Sequence, residues 1–171
     1  MARLRAIFYN LIKTPDKLAK LRAEFEELNL TGQIERGDPL MKWSDVRELP
    51  YLSAVINESL RTHPAAGLPL ERITPAEGIQ LGDVFVPGGT NIGCSAWTLH
   101  LDQDLWGQDA REWRPERWLE ASEGKKAEMK NSMFTFGAGS RTCIGKNVSY
   151  LEMYKLVPAV LRSFDVGVFF W

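Results

Sequence analysis

Residues 134–145 read FTFGAGSRTCIG and set Cys143, one of two cysteines in the chain, among Gly137, Gly139 and Gly145. A thiolate is a nucleophile and a metal ligand, so the neighbouring residue types decide what this one could do. Glycine inside a helix or strand is worse than alanine by roughly 0.5–1 kcal/mol, and three of them here imply a sharp turn or the close approach of a ligand. Arg141 lies two residues before the cysteine, and a long helical pattern starts at about Lys146. A helix N-terminus presents unpaired N–H groups and a partial positive charge, both of which lower a thiol's pKa. The guanidinium can pair with a carboxylate supplied by a ligand. Together these residues fit a thiolate beneath a flat, carboxylate-bearing ligand. A buried structural cysteine in a turn is the simpler alternative.

Other readings of the loop fail on spacing. A phosphate-binding loop places four residues between its first glycine and the Gly-Lys pair, then Ser or Thr; here Gly139 and Gly145 enclose five, and Asn147 follows Lys146. A dinucleotide fingerprint would need glycine where Thr142 stands, and a c-type haem site would need a second cysteine and a histidine beside the first. His63, Cys94, His100 and Cys143 are enough ligands for zinc in number but lack the close pairs such sites show. A second set of charged residues lies upstream. Glu58 and Arg61 are three apart in a helical segment and share a face, and RPERW at 114–118 supplies Arg117 as a further partner. Were they exposed, such a pair would contribute only about 0–1 kcal/mol.

The elements that must position these residues follow from periodicity. Leu4, Ile7, Phe8, Leu11 and Ile12 repeat at helical spacing, with no capping residue ahead of them. Thr14 reads as an N-cap with Pro15 at the first position of a second helix, whose apolar face is Leu18, Leu21, Phe25 and Leu28. A polar loop with Gly32, Gly37 and Pro39 comes next. Pro50 opens a third helix that buries Leu52, Val55, Ile56, Ser59 and Leu60 and ends at His63 and Pro64. GIQLGDVFVPGGTNIGC alternates around Gly82-Asp83 and Pro87-Gly88-Gly89, the pattern of short antiparallel strands. The last helix spans about Lys146 to Phe164 and is kinked or adjusted at Pro158. The expected fold is mainly α with a small antiparallel β-sheet between the third helix and the cysteine loop, and no internal repeat.

Composition narrows the function classes. The 171 residues are 44% hydrophobic and 25% charged, as in one ordinary globular domain. A net charge of −1 gives no basic surplus, which argues against nucleic acid as a partner. Two cysteines are too few for a disulfide framework and read equally well as reduced thiols. No run approaches the roughly 18 apolar residues of a spanning helix, so no membrane anchor is expected here. MARLRAIFYNLIK has the arginines of a transit peptide but reads better as a surface helix. Asn29, Asn57 and Asn147 head glycosylation sequons by chance, since no secretory signal precedes them.

FGAGSRTCIG resembles the haem-binding loop of the cytochrome P-450 family, the haem-thiolate monooxygenases, with its phenylalanine, glycines, arginine and cysteine at the family's spacing. The resemblance implies that Cys143 is the axial thiolate of haem b (iron protoporphyrin IX), that Arg141 binds a propionate, and that Phe136 packs beside the sulfur, with Gly145 following it. It also implies that Glu58, Arg61 and Arg117 form a structural triad that locks the segment leading to the loop. Arg72 in LERIT matches a second propionate arginine, and His100 in TLHLD a histidine near the haem edge. A solvated arginine and a satisfied histidine are the simpler readings of those two. Residues 65–70 match a segment lining the substrate pocket, and their small apolar side chains suit a hydrophobic substrate.

By the same resemblance the activity is insertion of one oxygen atom from O2 into a small hydrophobic substrate, such as a secondary metabolite, with electrons from an NADPH-dependent cytochrome P-450 reductase. Lys125, Lys126, Lys130, Lys146 and Lys155 could meet an acidic reductase, though a solvated surface explains them equally. GKNVSYLEMYKL is most similar to filamentous-fungal members, which sit on the cytosolic face of the endoplasmic reticulum membrane. Residues 1–171 correspond to the C-terminal haem-binding portion of that domain. The acid-threonine motif expected before Arg3 and the last sheet region expected after Phe169, Phe170 and Trp171 are absent. The alternative function is therefore a truncated, non-catalytic remnant with weak or no haem binding.

Overall fold

The computed structural model describes residues 2–30 and 41–167. The polar loop with Gly32, Gly37 and Pro39, and Phe169, Phe170 and Trp171, lie outside the described residues. Helix α1 (Ala2–Lys13) buries Ile7 and Leu11, and α2 (Pro15–Leu30) buries Leu21 and Phe25, as their spacing predicts. Thr14 lies at the junction, but its hydroxyl points back. Its Oγ1 donates to the Asn10 carbonyl at 2.7 Å and so closes α1, while only its backbone carbonyl serves α2, accepting from Leu18 N–H at 3.1 Å.

After the short α3 (Trp43–Val46), helix α4 (Pro50–Thr62) runs through the centre of the fold. Pro50 occupies its first turn, where a missing N–H is harmless, and Leu49 before it has no capping side chain. The cap comes instead from α2: Glu24 accepts Tyr51 N–H at 2.6 Å and Leu52 N–H at 2.8 Å, one on each carboxylate oxygen. Burial pushes the Glu24 carboxyl above the usual range, against those two bonds.

The expected sheet is two ladders. β1 (Leu70–Ile73) pairs antiparallel with β4 (Asn91–Cys94), placing Leu70 opposite Cys94 and Arg72 opposite Ile92. β2 (Ile79–Leu81) and β3 (Val84–Val86) form a hairpin whose tight turn needs Gly82 at φ +56°. Buried Thr74 joins the two: its Oγ1 donates to Pro87 O at 2.7 Å and accepts from Thr90 N–H at 2.9 Å. Short helices α5 (Ala96–Leu99), α6 (Gln103–Trp106) and α7 (Arg117–Glu120) follow, then α8 (Glu123–Asn131) and the long α9 (Lys146–Ser163). Helix α9 continues through buried Pro158, which leaves the Tyr154 carbonyl without its usual N–H donor.

Helices α1, α2, α4 and α9 share the main core, including Ile7, Leu21, Leu52, Ile56, Met153 and Val157. A second cluster joins Ala54 of α4 to Trp106, Ala110, Trp118 and Met129. Helix α4 is thus buried between two apolar groups, and each fully buried aliphatic side chain stabilises the arrangement by roughly 1.5–3 kcal/mol.

Candidate functional site

The wall between the cores contains a buried polar network. Glu58 and Arg61 are fully buried and Arg117 nearly so. Arg61 grips the Glu58 carboxylate in a fork, Nη2 to Oε1 at 2.7 Å and Nε to Oε2 at 3.0 Å. Arg117 Nε donates to Oε1 at 2.9 Å, Trp118 Nε1 to Oε2 at 3.0 Å, and the Arg114 backbone N–H to Oε1 at 2.9 Å. The remaining guanidinium donors are also used. Arg61 Nη1 reaches the carbonyls of His100 at 2.7 Å and Ala110 at 2.6 Å, and Arg117 Nη1 reaches Trp106 O at 2.8 Å and Asp109 Oδ1 at 2.9 Å.

Asp109, Arg114 and Trp118 are members that spacing did not single out. The Arg117 and Arg114 guanidiniums beside Asp109 hold its carboxyl below the usual range despite partial desolvation. Their one sequence signal is the density of Trp, Arg and acidic residues between Trp106 and Trp118.

The network is tied to the segment that enters the cysteine loop. His100 is fully buried; its Nε2 accepts Phe134 N–H at 2.8 Å, so its Nδ1 carries the proton and donates to Arg61 O at 2.9 Å. Burial lowers its pKa to about 4, which keeps the ring neutral. With both ring nitrogens bonded to protein, His100 has no polar atom left for a ligand. This is the arrangement of a satisfied histidine. Next along the chain, Thr135 Oγ1 donates to the Leu60 carbonyl at 2.8 Å, and buried Phe136 packs in the main core. Three consecutive residues therefore fasten the loop's entrance to α4 and the core.

Beyond Phe136 the backbone turns at Gly137, φ +69°, and Gly139, φ +67°, conformations that a side chain would strain. A Cβ on Gly137 would also press to 3.2 Å from Leu70 Cδ1. A 3₁₀ turn at Gly139–Arg141 leads to Cys143, whose N–H donates back to Phe136 O at 2.8 Å. The thiol is free and exposed, and helix α9 begins three residues later, with Lys146 N–H on the Cys143 carbonyl at 3.2 Å. A Cβ on Gly145 would stand 3.8 Å from the sulfur, an ordinary contact that leaves the thiol's surroundings open.

Arg141 is exposed, makes no hydrogen bond or ion pair among the described residues, and lines a cleft of about 590 Å³ with Leu70, Arg72 and Asn91. Arg72 spends one donor on the Glu71 carbonyl at 2.6 Å. Ile144 is 102% exposed, and with Val148 and Leu151 it forms an apolar stripe at helical spacing directly after the thiol.

The residues thus fit a group that is flat and apolar, carries carboxylates, and presents a metal. An exposed sulfur, apolar surface beside it and two arginines in one cleft match those three properties in turn. Of the lysines, Lys125 and Lys126 pair with Glu128 and Glu123 at 2.7 and 2.9 Å, and Lys155 donates to the Met41 carbonyl. No helix among the described residues is long and apolar enough to cross a membrane.

Comparison with known families matches residues 2–169 to "Cytochrome P450". A cytochrome P450 monooxygenase of Aspergillus terreus is 50% identical over 164 residues, 96% of this chain and 33% of the relative. Cytochrome P450 monooxygenase cicH of Emericella nidulans is 45% identical over 165 residues, 96% and 32% respectively. Cytochrome P450 monooxygenase esdpH of Penicillium shearii is 44% identical over 160 residues, 94% and 32%. The chain spans about a third of the length of these relatives.

Proposed function

The chain belongs to the cytochrome P450 family, and from that premise we propose that residues 1–171 are the haem-binding C-terminal portion of a monooxygenase domain, with Cys143 as the thiolate that would hold the haem iron. Haem, when bound, would supply the iron chemistry of oxygen activation, and the Cys143 thiolate would be the residue that holds that iron. The chain's own residues do the rest. Arg141 and Arg72 pair with the propionates, Ile144 and Val148 offer apolar surface to the macrocycle, and the open conformation at Gly137, Gly139 and Gly145 lets the backbone approach it. Phe136 holds the thiol's amide through its carbonyl, and the Glu58–Arg61–Arg117 network fixes the strand of chain from which Phe136 hangs.

The whole protein inserts one oxygen atom from O2 into a small hydrophobic substrate of secondary metabolism. It takes electrons from an NADPH-dependent reductase at the cytosolic face of the endoplasmic reticulum. One observation carries this reading: the chain's free, exposed thiol stands at the start of α9 while Arg141, two residues away and without a side-chain partner among the described residues, shares a cleft with Arg72. The test is to load the chain with haem, reduce it, add carbon monoxide and record the absorption spectrum. The thiolate-type red-shifted band is expected in the native chain and absent in Cys143→Ser; no bound haem in the native chain favours the non-catalytic remnant.

A further inference from the structure

Phe136 and Ser149 stand at the two ends of the cysteine loop. Phe136 closes the entrance, its carbonyl accepting Cys143 N–H at 2.8 Å, and Ser149 lies in the first turn of α9, where its N–H donates to Gly145 O at 2.9 Å. One side chain from α1 touches both. The Arg3 guanidinium carbon stands 4.2 Å from the Phe136 ring centroid, and Arg3 Nη1 donates to Ser149 Oγ. A cation within about 6 Å of an aromatic face is attracted by the ring's quadrupole. Arg3 therefore joins entrance to exit across the neck of a segment whose interior turns at Gly137 and Gly139.

Packing alone does not call for arginine at this place. Its Nε–H is buried with no acceptor among the described residues, a loss that a methionine of similar length would avoid. No acid among the described residues pairs with it. Ser149 also belongs to the N-terminal turn of α9, whose partial positive charge disfavours a cation. The group that would reverse that sign is the Cys143 thiol at the same end of the helix. As a thiolate it would bring a negative charge to the loop that Arg3 closes, and the cation would then stand in a favourable field.

We propose that Arg3 is a positioning residue for the Cys143 thiolate. It clamps the neck of the loop between Phe136 and Ser149, keeps the Cys143 N–H on the Phe136 carbonyl, and places a positive charge beside the segment that carries the sulfur. The charge's part in this rests on the haem-thiolate reading above; the clamp itself operates in the ligand-free chain. It differs from the Glu58 network, which fixes the residues leading into the loop, because Arg3 ties the loop's entrance to the helix that follows it.

The test first reads the loop without haem. Hydrogen exchange at the Cys143 amide is expected to quicken about tenfold in Arg3→Met, which keeps the side chain's length and removes its charge and donors, and by less in Ser149→Ala. Arg3→Lys, a cation that can still reach ring and hydroxyl, restores most of the native protection. The double variant Arg3→Met with Ser149→Ala exchanges no faster than Arg3→Met, since Ser149 acts through Arg3. Amides at the centre of α4 keep their native rates throughout. In the haem-loaded chain the reduction potential of the iron falls in Arg3→Met and recovers in Arg3→Lys, because a nearby cation favours the more negative, reduced state. Unchanged Cys143 exchange in Arg3→Met, an acceleration matched at the centre of α4, or an unmoved potential in that variant overturns the proposal. Absence of the thiolate-type carbon monoxide band from the native chain overturns the haem-thiolate reading instead, and the exchange measured without haem still decides the clamp.

Discussion

The Glu58 network and the Cys143 loop are connected by three residues yet treat their polar groups in opposite ways. Around Glu58, carboxylate and guanidinium groups are buried and saturated with partners on the chain itself. Around Cys143, the thiol and Arg141 are exposed, and no bond among the described residues engages the Arg141 side chain. Buried polar groups must be satisfied or they destabilise the fold, whereas exposed groups are satisfied by water and remain available. The contrast separates what positions the site from what faces its ligand: saturation marks the first, an open cradle the second.

The sharpest way to break that contrast is at its saturated end. Glu58→Ala leaves Arg61 and Arg117 buried without their shared anion, and removal of one member of a buried ion pair typically destabilises by about 3–5 kcal/mol. The expected outcome is a large fall in the urea midpoint together with loss of haem incorporation; normal haem content would remove the network from the positioning role.

His100 gives the next effect, this time through pH. Its folded pKa of about 4 lies below the ordinary 6.5, so between those values the unfolded chain binds more protons than the native one. The contribution is fully present above about pH 6.5 and is lost as pH falls toward 4, the loss reaching roughly 3 kcal/mol at the low end. Urea midpoints across that window should decline more steeply in the native chain than in a variant with His100 replaced by asparagine.

A smaller loss is expected where α2 caps α4. Glu24→Ala removes the acceptor for Tyr51 and Leu52 N–H, comparable to deleting an N-cap, at about 1–2 kcal/mol. Hydrogen exchange at those two amides should accelerate before any change is seen at the centre of α4. Equal protection in both forms would show that the helix start needs no such cap.

The parts of this molecule that were legible in its sequence are those whose signal is local. Pro50 and a 3.6-residue apolar period marked α4, and the Gly82-Asp83 turn marked the β2–β3 hairpin. The cysteine loop was legible because glycine and arginine at that spacing have few other uses. What escaped depends on partners far along the chain. Strand β1 is mostly exposed and shows no alternation, so only its pairing with β4 identifies it. Thr14 has the right type and place for an N-cap, but its hydroxyl found the Asn10 carbonyl first. Glu24 looked like any charged residue on a polar helix face. Asp109 and Trp118 join the Glu58 network from tens of residues away; spacing offered Glu58, Arg61 and Arg117 as partners, and only the family resemblance implied that they form a triad. His100 was legible by type alone, and no local pattern announced that its two nitrogens hold α4 against the loop.

Cys143→Ser should be the least damaging change to the fold. The side chain is exposed, the loop's shape comes from the glycine turns and the Cys143 N–H bond to Phe136 O, and serine keeps that amide. Surface substitutions of this kind usually fall within about 0.5 kcal/mol, so urea and thermal midpoints of the ligand-free chain should hardly move. The same substitution should remove the thiolate-type carbon monoxide band altogether. Large destabilisation of the ligand-free protein by serine would instead mean that the sulfur itself helps hold the loop, and the division between a saturated positioning network and an open ligand face would not extend to this residue.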